Sequence, residues 1–189
     1  KPMKGTAARG QNPADDEGRA RGLRADIKNR AENLMIVDLL RNDFGKVCTP
    51  GSIHVPQLFE LQSFSAVHHL VSSICGELKN QTDSIELIKA IFPGGSITGA
   101  PKRRAMEIIE ELEPHARRVY CGSIFYMSSS GQFDSNILIR TVLCDSDALY
   151  CWGGGGIVLD STAEAEWLEI NDKIGNLLSI LGASRPPTL

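Results

Sequence analysis

The stretch from Trp152 to Lys173 reads WGGGGIVLDSTAEAEWLEINDK, and its two halves demand different backbones. Four consecutive glycines lose much backbone entropy on ordering and pack no side chain, so they fill neither helix nor strand. They mark a place where something approaches the main chain closely, and a bound ligand is the expected occupant. Directly after them, Asp160-Ser161 or Ser161-Thr162 can cap a helix. Its apolar residues recur at helical spacing, at Ala165, Leu168, Ile174, Leu177, Leu178 and Leu181. At about 100° per residue, Glu166, Glu169 and Lys173 fall within a sector of roughly 60°. Two readings stay open at this point. Glu169 and Lys173 form an ordinary i,i+4 surface pair beside a solvated Glu166, or the three charges serve a ligand held against the glycines.

Composition narrows the classes. A chain of 189 residues, 42% hydrophobic and 23% charged, can bury one substantial core, so disorder is not expected for most of it. A net charge of −3 gives no general reason to bind nucleic acid. No apolar run approaches the roughly 18 residues of a membrane span, which excludes that partner too. The five cysteines are scattered without a CxxC pair, which argues against a disulfide scaffold or structural zinc and for reduced thiols in a cytoplasmic protein. The opening KPMKGT has no initiator Met and reads as the interior of a longer protein.

Outward from the glycine run, the chain offers further candidates. Lys4, among Pro2, Gly5 and Thr6, lies at a turn or strand end. It is either a surface lysine or a nucleophile, the latter only if burial or a neighbouring cation lowers its pKa. One long helical segment is expected over 12–43, ending at Gly45 with a possible break at Gly22. Its second half, AENLMIVDLLRND, is apolar nearly all round and should be buried. Glu32 within it must then be protonated, bound to a cation, or paired with Arg30, Arg41 or a more distant arginine.

Strands are expected at 53–55, 58–64 and 67–77, with His69 facing opposite Leu70, and a short helix at 83–91. In GGSITGAPK, residues 94–102, Gly94, Gly95 and Gly99 bracket Ser96 and Thr98, and Pro101 suits the first turn of the next helix. A glycine loop feeding a helix N-terminus can hold an anion. A nucleotide P-loop is excluded, because Ala100-Pro101-Lys102 replaces the Lys-Ser/Thr pair that must follow the last glycine. Three strands follow: 120–127, which starts with Tyr120, then 133–143, which carries Arg140 near its end, and 148–152. The first two are joined by the turn-forming SSSGQ. Arg140 can pair bidentately with a carboxylate, its own chain's or a ligand's. Residues 183–189 read as a loose tail.

In order and spacing, PMKGTAARG (2–10), RAENLMIVDLLRND (30–43), GGSITGAPK, the strands bearing Tyr120 and Arg140, and the Gly153–Lys173 stretch resemble the chorismate-utilising enzymes. That family includes anthranilate, isochorismate, salicylate and aminodeoxychorismate synthases. The resemblance spans nearly the whole chain and makes residues 1–182 the C-terminal part of a chorismate-binding catalytic domain. It implies an α+β fold, part of a two-layer α/β sandwich with antiparallel sheets and outer helices.

The resemblance also implies roles. Mg²⁺ would be held by Glu32 and Glu169, with Glu166 nearby through water. Tyr120, Arg140 and the backbone of Gly154, Gly155 and Gly156 would hold the pyruvyl carboxylate of chorismate. Lys173 would lie close to the substrate carboxylates, Ser96 and Thr98 would line the ring pocket, and His69 would stand beside the reacting ring. Lys4 matches the branch that aminates chorismate at C4 through a covalent lysine intermediate, on the route to 4-aminobenzoate and folate. Anthranilate synthases typically have a small residue there. Ammonia would come from a glutamine amidotransferase, separate or fused, since no nucleophilic Cys with a His-Glu pattern is evident in this sequence. Two departures stand out: Asn29 occupies a place where several relatives have an acid, and the family's N-terminal half, with an acid proposed to protonate the leaving hydroxyl, is absent. Isochorismate or anthranilate synthesis, and a non-catalytic binding module, are the alternatives.

Overall fold

The structure, a computed structural model, describes residues 1–80, 82–159 and 161–182. It combines helices with antiparallel sheets, as the α+β expectation requires, and divides into two compact units, Lys1–Arg103 and Arg104 onward. The tail expected at 183–189 lies outside the described residues, as does Asp160. Among the described residues no helix is long and apolar enough to cross a membrane.

The first unit is built on a three-stranded antiparallel sheet of β1 (Met3–Ala8), β2 (His54–Ser63) and β3 (Val67–Cys75), with β3 in the middle. Helices α1 (Pro13–Ala25) and α2 (Ile27–Val47) follow β1, and α3 (Ser84–Ile91) and a short 3-10 turn (Gly95–Ile97) follow β3. The core forms where Leu70 and Val71 of β3 and Ile36 and Val37 of α2 are all buried. Burying a polar group there requires partners. Asn33, fully buried on α2, donates to the Leu70 carbonyl and accepts from the Ser72 hydroxyl at 2.6 Å.

The expected single helix over 12–43 is two helices. Asn12 caps α1 and Pro13 opens it. The break falls at Asp26, not Gly22: Asp26 adopts an extended backbone, closes α1 and caps α2 with a side-chain bond to the Asn29 amide. Gly45 does not end α2, which continues to Val47. The two strands expected at 53–55 and 58–64 are one, β2, over His54–Ser63.

The second unit holds most of α4 (Lys102–Leu112), the hairpin β4 (Ser123–Met127) and β5 (Phe133–Ile137), the pair β6 (Val142–Cys144) and β7 (Leu149–Cys151), and α5 (Ala163–Ile180). Two expectations are corrected here. Tyr120 lies in a turn before β4 and not in a strand, because Cys121 adopts φ 64° and Cys121 and Leu138 exchange only a single loop hydrogen bond. The strand expected over 133–143 is broken at Leu138–Thr141, where Arg140 adopts φ 54°, a region non-glycine residues seldom occupy. Thr162 caps α5, and the glycine run leaving β7 lies directly on that helix. A Cβ on Gly153 would stand 2.8 Å from Ile174 Cγ2, so only glycine allows this approach.

Candidate active site

In the first unit, Lys4 and Glu32 meet. Lys4 Nζ donates to Glu32 Oε2 at 3.0 Å, and both side chains are partly buried. The sequence at β1 explains the aim. Lys4 and Gly5, between Met3 and Thr6, oppose the single residue Leu70 between Val71 and His69, so β1 carries a bulge at Lys4-Gly5. Gly5 supplies the positive φ of 92° the bulge needs, and an added Cβ would press on Asn29 and Leu23 at 3.2 Å. The arginines offered as partners for Glu32 are engaged elsewhere: Arg30 lies over the Phe59 ring and Arg41 pairs with Asp38. His69, half-buried on β3, has Nδ1 2.9 Å from the Thr6 hydroxyl and its ring edge-to-face with Phe64.

Of the two loop residues in this unit, Ser96 is exposed in the 3-10 turn, while the Thr98 hydroxyl donates to the Gly94 carbonyl at 3.0 Å. The loop lies tight on α2: a Cβ on Gly95 would meet Leu39 Cδ1 at 2.6 Å.

A second ionic cluster in this unit was not singled out from the sequence. His68, 2% exposed, lies with Nε2 2.9 Å from Asp16 Oδ1 and Nδ1 2.8 Å from the Ser63 hydroxyl. Arg9 grips Asp16 bidentately at 2.8 and 2.7 Å, and the Gly10 amide adds a bond at 2.8 Å. The Arg9 guanidinium first, then the Gly10 N–H and His68, hold the Asp16 carboxyl far below the usual carboxylate range. Only the adjacency of two histidines hinted at this site, and residues 52 positions apart form it.

In the second unit the glycine run gathers four of the expected residues. Lys173 Nζ donates to the Gly154 carbonyl at 3.1 Å and also pairs with Glu169. A Cβ on Gly154 would lie 2.7 Å from the Tyr120 hydroxyl, and one on Gly155 would lie 2.6 Å from Glu166 Oε2. Gly156 is exposed. Tyr120 stacks on Trp152 at 6.4 Å with the Arg117 guanidinium beside its ring. Burial first, then neighbouring Cys121, pushes the Tyr120 hydroxyl up to about 12. Arg140 is exposed, and among the described residues its guanidinium makes no hydrogen bond or ion pair.

Glu166 bears on metal binding. It is 8% exposed, its Oε1 accepts from the Ser161 hydroxyl at 2.6 Å, and its Oε2 is buried without a hydrogen-bond partner among the described residues. A buried carboxylate oxygen left unpaired costs free energy, and a hard cation or a water coordinated to one would satisfy it. The donor chemistry fits Mg²⁺. Among the described residues no three His, Cys, Asp or Glu side chains stand close enough to hold a metal by themselves.

The family described as chorismate binding enzyme matches residues 1–179. This chain belongs to that family. Aminodeoxychorismate synthase component 1 of Salmonella typhimurium is 54% identical over 178 residues, covering 94% of this chain and 39% of the relative. Anthranilate synthase component 1 of Bacillus caldotenax is 44% identical over 180 residues, covering 95% of this chain and 35% of the relative. The crystal structure of anthranilate synthase component I from Streptococcus pneumoniae superposes with a TM-score of 0.80 at 37% identity, covering 88% of this chain and 40% of that one. The chain thus spans 35 to 40% of the length of these three relatives.

Proposed function

We propose that the protein containing this chain converts chorismate and ammonia to 4-amino-4-deoxychorismate, the precursor of 4-aminobenzoate for folate synthesis. The observation that carries this reading is the Lys4–Glu32 pair, a lysine aimed inward by a bulge and held by a carboxylate. A lysine kept only for solubility does not need a glycine at positive φ to turn it toward a helix. The higher identity to the aminodeoxychorismate synthase than to the anthranilate synthase supports the same branch.

In this reading the neutral Lys4 amine attacks C2 of the chorismate ring as hydroxide leaves C4, and the amine proton goes to the departing hydroxide. Ammonia, from a glutamine amidotransferase partner, then bonds to C4 and expels the lysine from C2, which restores the ring double bonds. One proton of the incoming nitrogen goes to the departing lysine amine. Splitting one difficult displacement into two lowers the barrier of each. In the structure Glu32 holds Lys4 Nζ at 3.0 Å, so the amine reaches the ring only once that contact opens. Mg²⁺, assigned by the resemblance to Glu32, Glu166 and Glu169, would neutralise the ring carboxylate of the substrate. Tyr120, Arg140 and the amides of Gly154, Gly155 and Gly156 are assigned the pyruvyl carboxylate, Ser96 and Thr98 the ring, and His69 a place beside the reacting carbons. Lys173 fixes the glycine run through the Gly154 carbonyl and adds positive charge where the substrate carboxylates are expected.

Product analysis of the full-length protein with chorismate, Mg²⁺ and ammonium tests the reading. The expected product is 4-amino-4-deoxychorismate. Anthranilate or isochorismate would transfer the protein to another branch, and chorismate binding without turnover would make it a binding module.

A further inference from the structure

Asp43 lies in the buried stripe of α2 with Asn33, Ile36, Val37 and Val47, and is itself 2% exposed. A carboxylate in such a stripe requires a counter-charge. Two ammonium groups supply it: Lys46 Nζ stands 2.7 Å from Oδ1 and Lys102 Nζ 2.7 Å from Oδ2. They are not equivalent, because the Lys46 side chain is 54% exposed and that of Lys102 only 22%.

Lys102 opens α4, whose first turn contains no acidic residue. The positive end of the helix dipole disfavours a cation there, so the local sequence works against this placement. A residue that breaks a local rule needs a compensating contact, and the Asp43 carboxylate is that contact. Between them runs the loop Gly94–Pro101, which α2 holds at its start as well. Gly95 packs against Leu39 with no room for a Cβ, and Leu39 precedes Asp43 by one helical turn. The loop is therefore fastened to successive turns of one helix, by a close glycine contact at one end and an ion pair to the buried Asp43 at the other.

We infer that Asp43 is a positioning residue: through Lys102 it clamps the loop Gly94–Pro101 onto α2, and so fixes Ser96 and Thr98 where they meet the substrate. The substrate clause rests on the chorismate reading above; the clamp stands on the geometry alone.

The test compares Lys102→Met, Lys102→Arg and Asp43→Asn in the full-length protein, by amide hydrogen exchange and by steady-state kinetics. In Lys102→Met, amides of residues 95–100 are expected to exchange about tenfold faster, as the loss of a charged hydrogen bond implies, while those of residues 33–40 keep their rates. The Michaelis constant for chorismate rises about tenfold with kcat within about twofold, and Lys102→Arg recovers most of both changes. Asp43→Asn repeats the pattern. If Asp43→Asn does not fold, Lys102→Met decides, because Asp43 then still has Lys46. Unchanged exchange in the loop overturns the clamp. Faster exchange with an unmoved Michaelis constant upholds the clamp and overturns the assignment of Ser96 and Thr98 to the substrate.

Discussion

Lys4 on β1 and Glu32 on α2 form an ion pair at 3.0 Å across 28 residues of sequence, and each satisfies the other. An amine and a carboxylate partly withdrawn from water are costly alone and acceptable together. Lys4→Met should therefore cost about 1 to 3 kcal/mol of unfolding free energy, through the charge left on Glu32. Lys4→Met combined with Glu32→Gln should recover part of that loss. Urea denaturation of the four proteins in the cycle measures the coupling.

Gly155→Ala should separate folding from function. Its Cβ would stand 2.6 Å from Glu166 Oε2, the end of a flexible side chain, so the backbone tolerates it while the carboxylate must move. The melting temperature should stay within a few degrees and turnover should fall at least about tenfold. Gly153→Ala should behave in the opposite sense. Its Cβ meets Ile174 and Ile170 of α5, and overpacking of that kind costs about 1 to 3 kcal/mol.

Acid should weaken the first unit through Asp16. Its folded pKa is depressed below the ordinary 3.8 by Arg9, so the folded state binds fewer protons than the unfolded one near that value. The stabilisation is complete above about pH 4 and is lost as pH falls toward the depressed folded value. Asp16→Asn should flatten the acid limb of stability against pH below about 4, which thermal melts at successive pH values would reveal.

Alkali acts on Tyr120 with the opposite sign. Its folded pKa, about 12, lies above the ordinary 10.0, so between those values the unfolded state has lost a proton that the folded state keeps. Stability present below pH 10 therefore declines as pH rises toward 12. Tyr120→Phe should make that decline shallower and remove one late-titrating phenol from the alkaline absorbance titration.

What was legible in the sequence was local chemistry. Thr162 before α5, Pro101 before α4 and the SSSGQ turn between β4 and β5 are read from neighbours in the chain, and the helices and hairpin they bound are present. The misplaced features depend on single backbone conformations or on distant contacts. Asp26 ends one helix and caps the next, a double role that Gly22 obscured. Positive φ at Cys121 and Arg140 interrupts what the alternation presented as continuous strands. The sequence offered Glu32 a proton, a cation, or Arg30, Arg41 or a more distant arginine, whereas sheet pairing of β1 with β3 delivers Lys4. The Lys102–Asp43 pair, 59 residues apart, likewise has no local signature.

The Lys4 nucleophile is tested most directly by intact-mass spectrometry of the full-length protein incubated with chorismate and Mg²⁺ without ammonia, beside Lys4→Ala. An adduct of chorismate less one water, localised to Lys4 and discharged on adding ammonium, is the predicted result. No adduct, together with full ammonia-dependent turnover in Lys4→Ala, would contradict it.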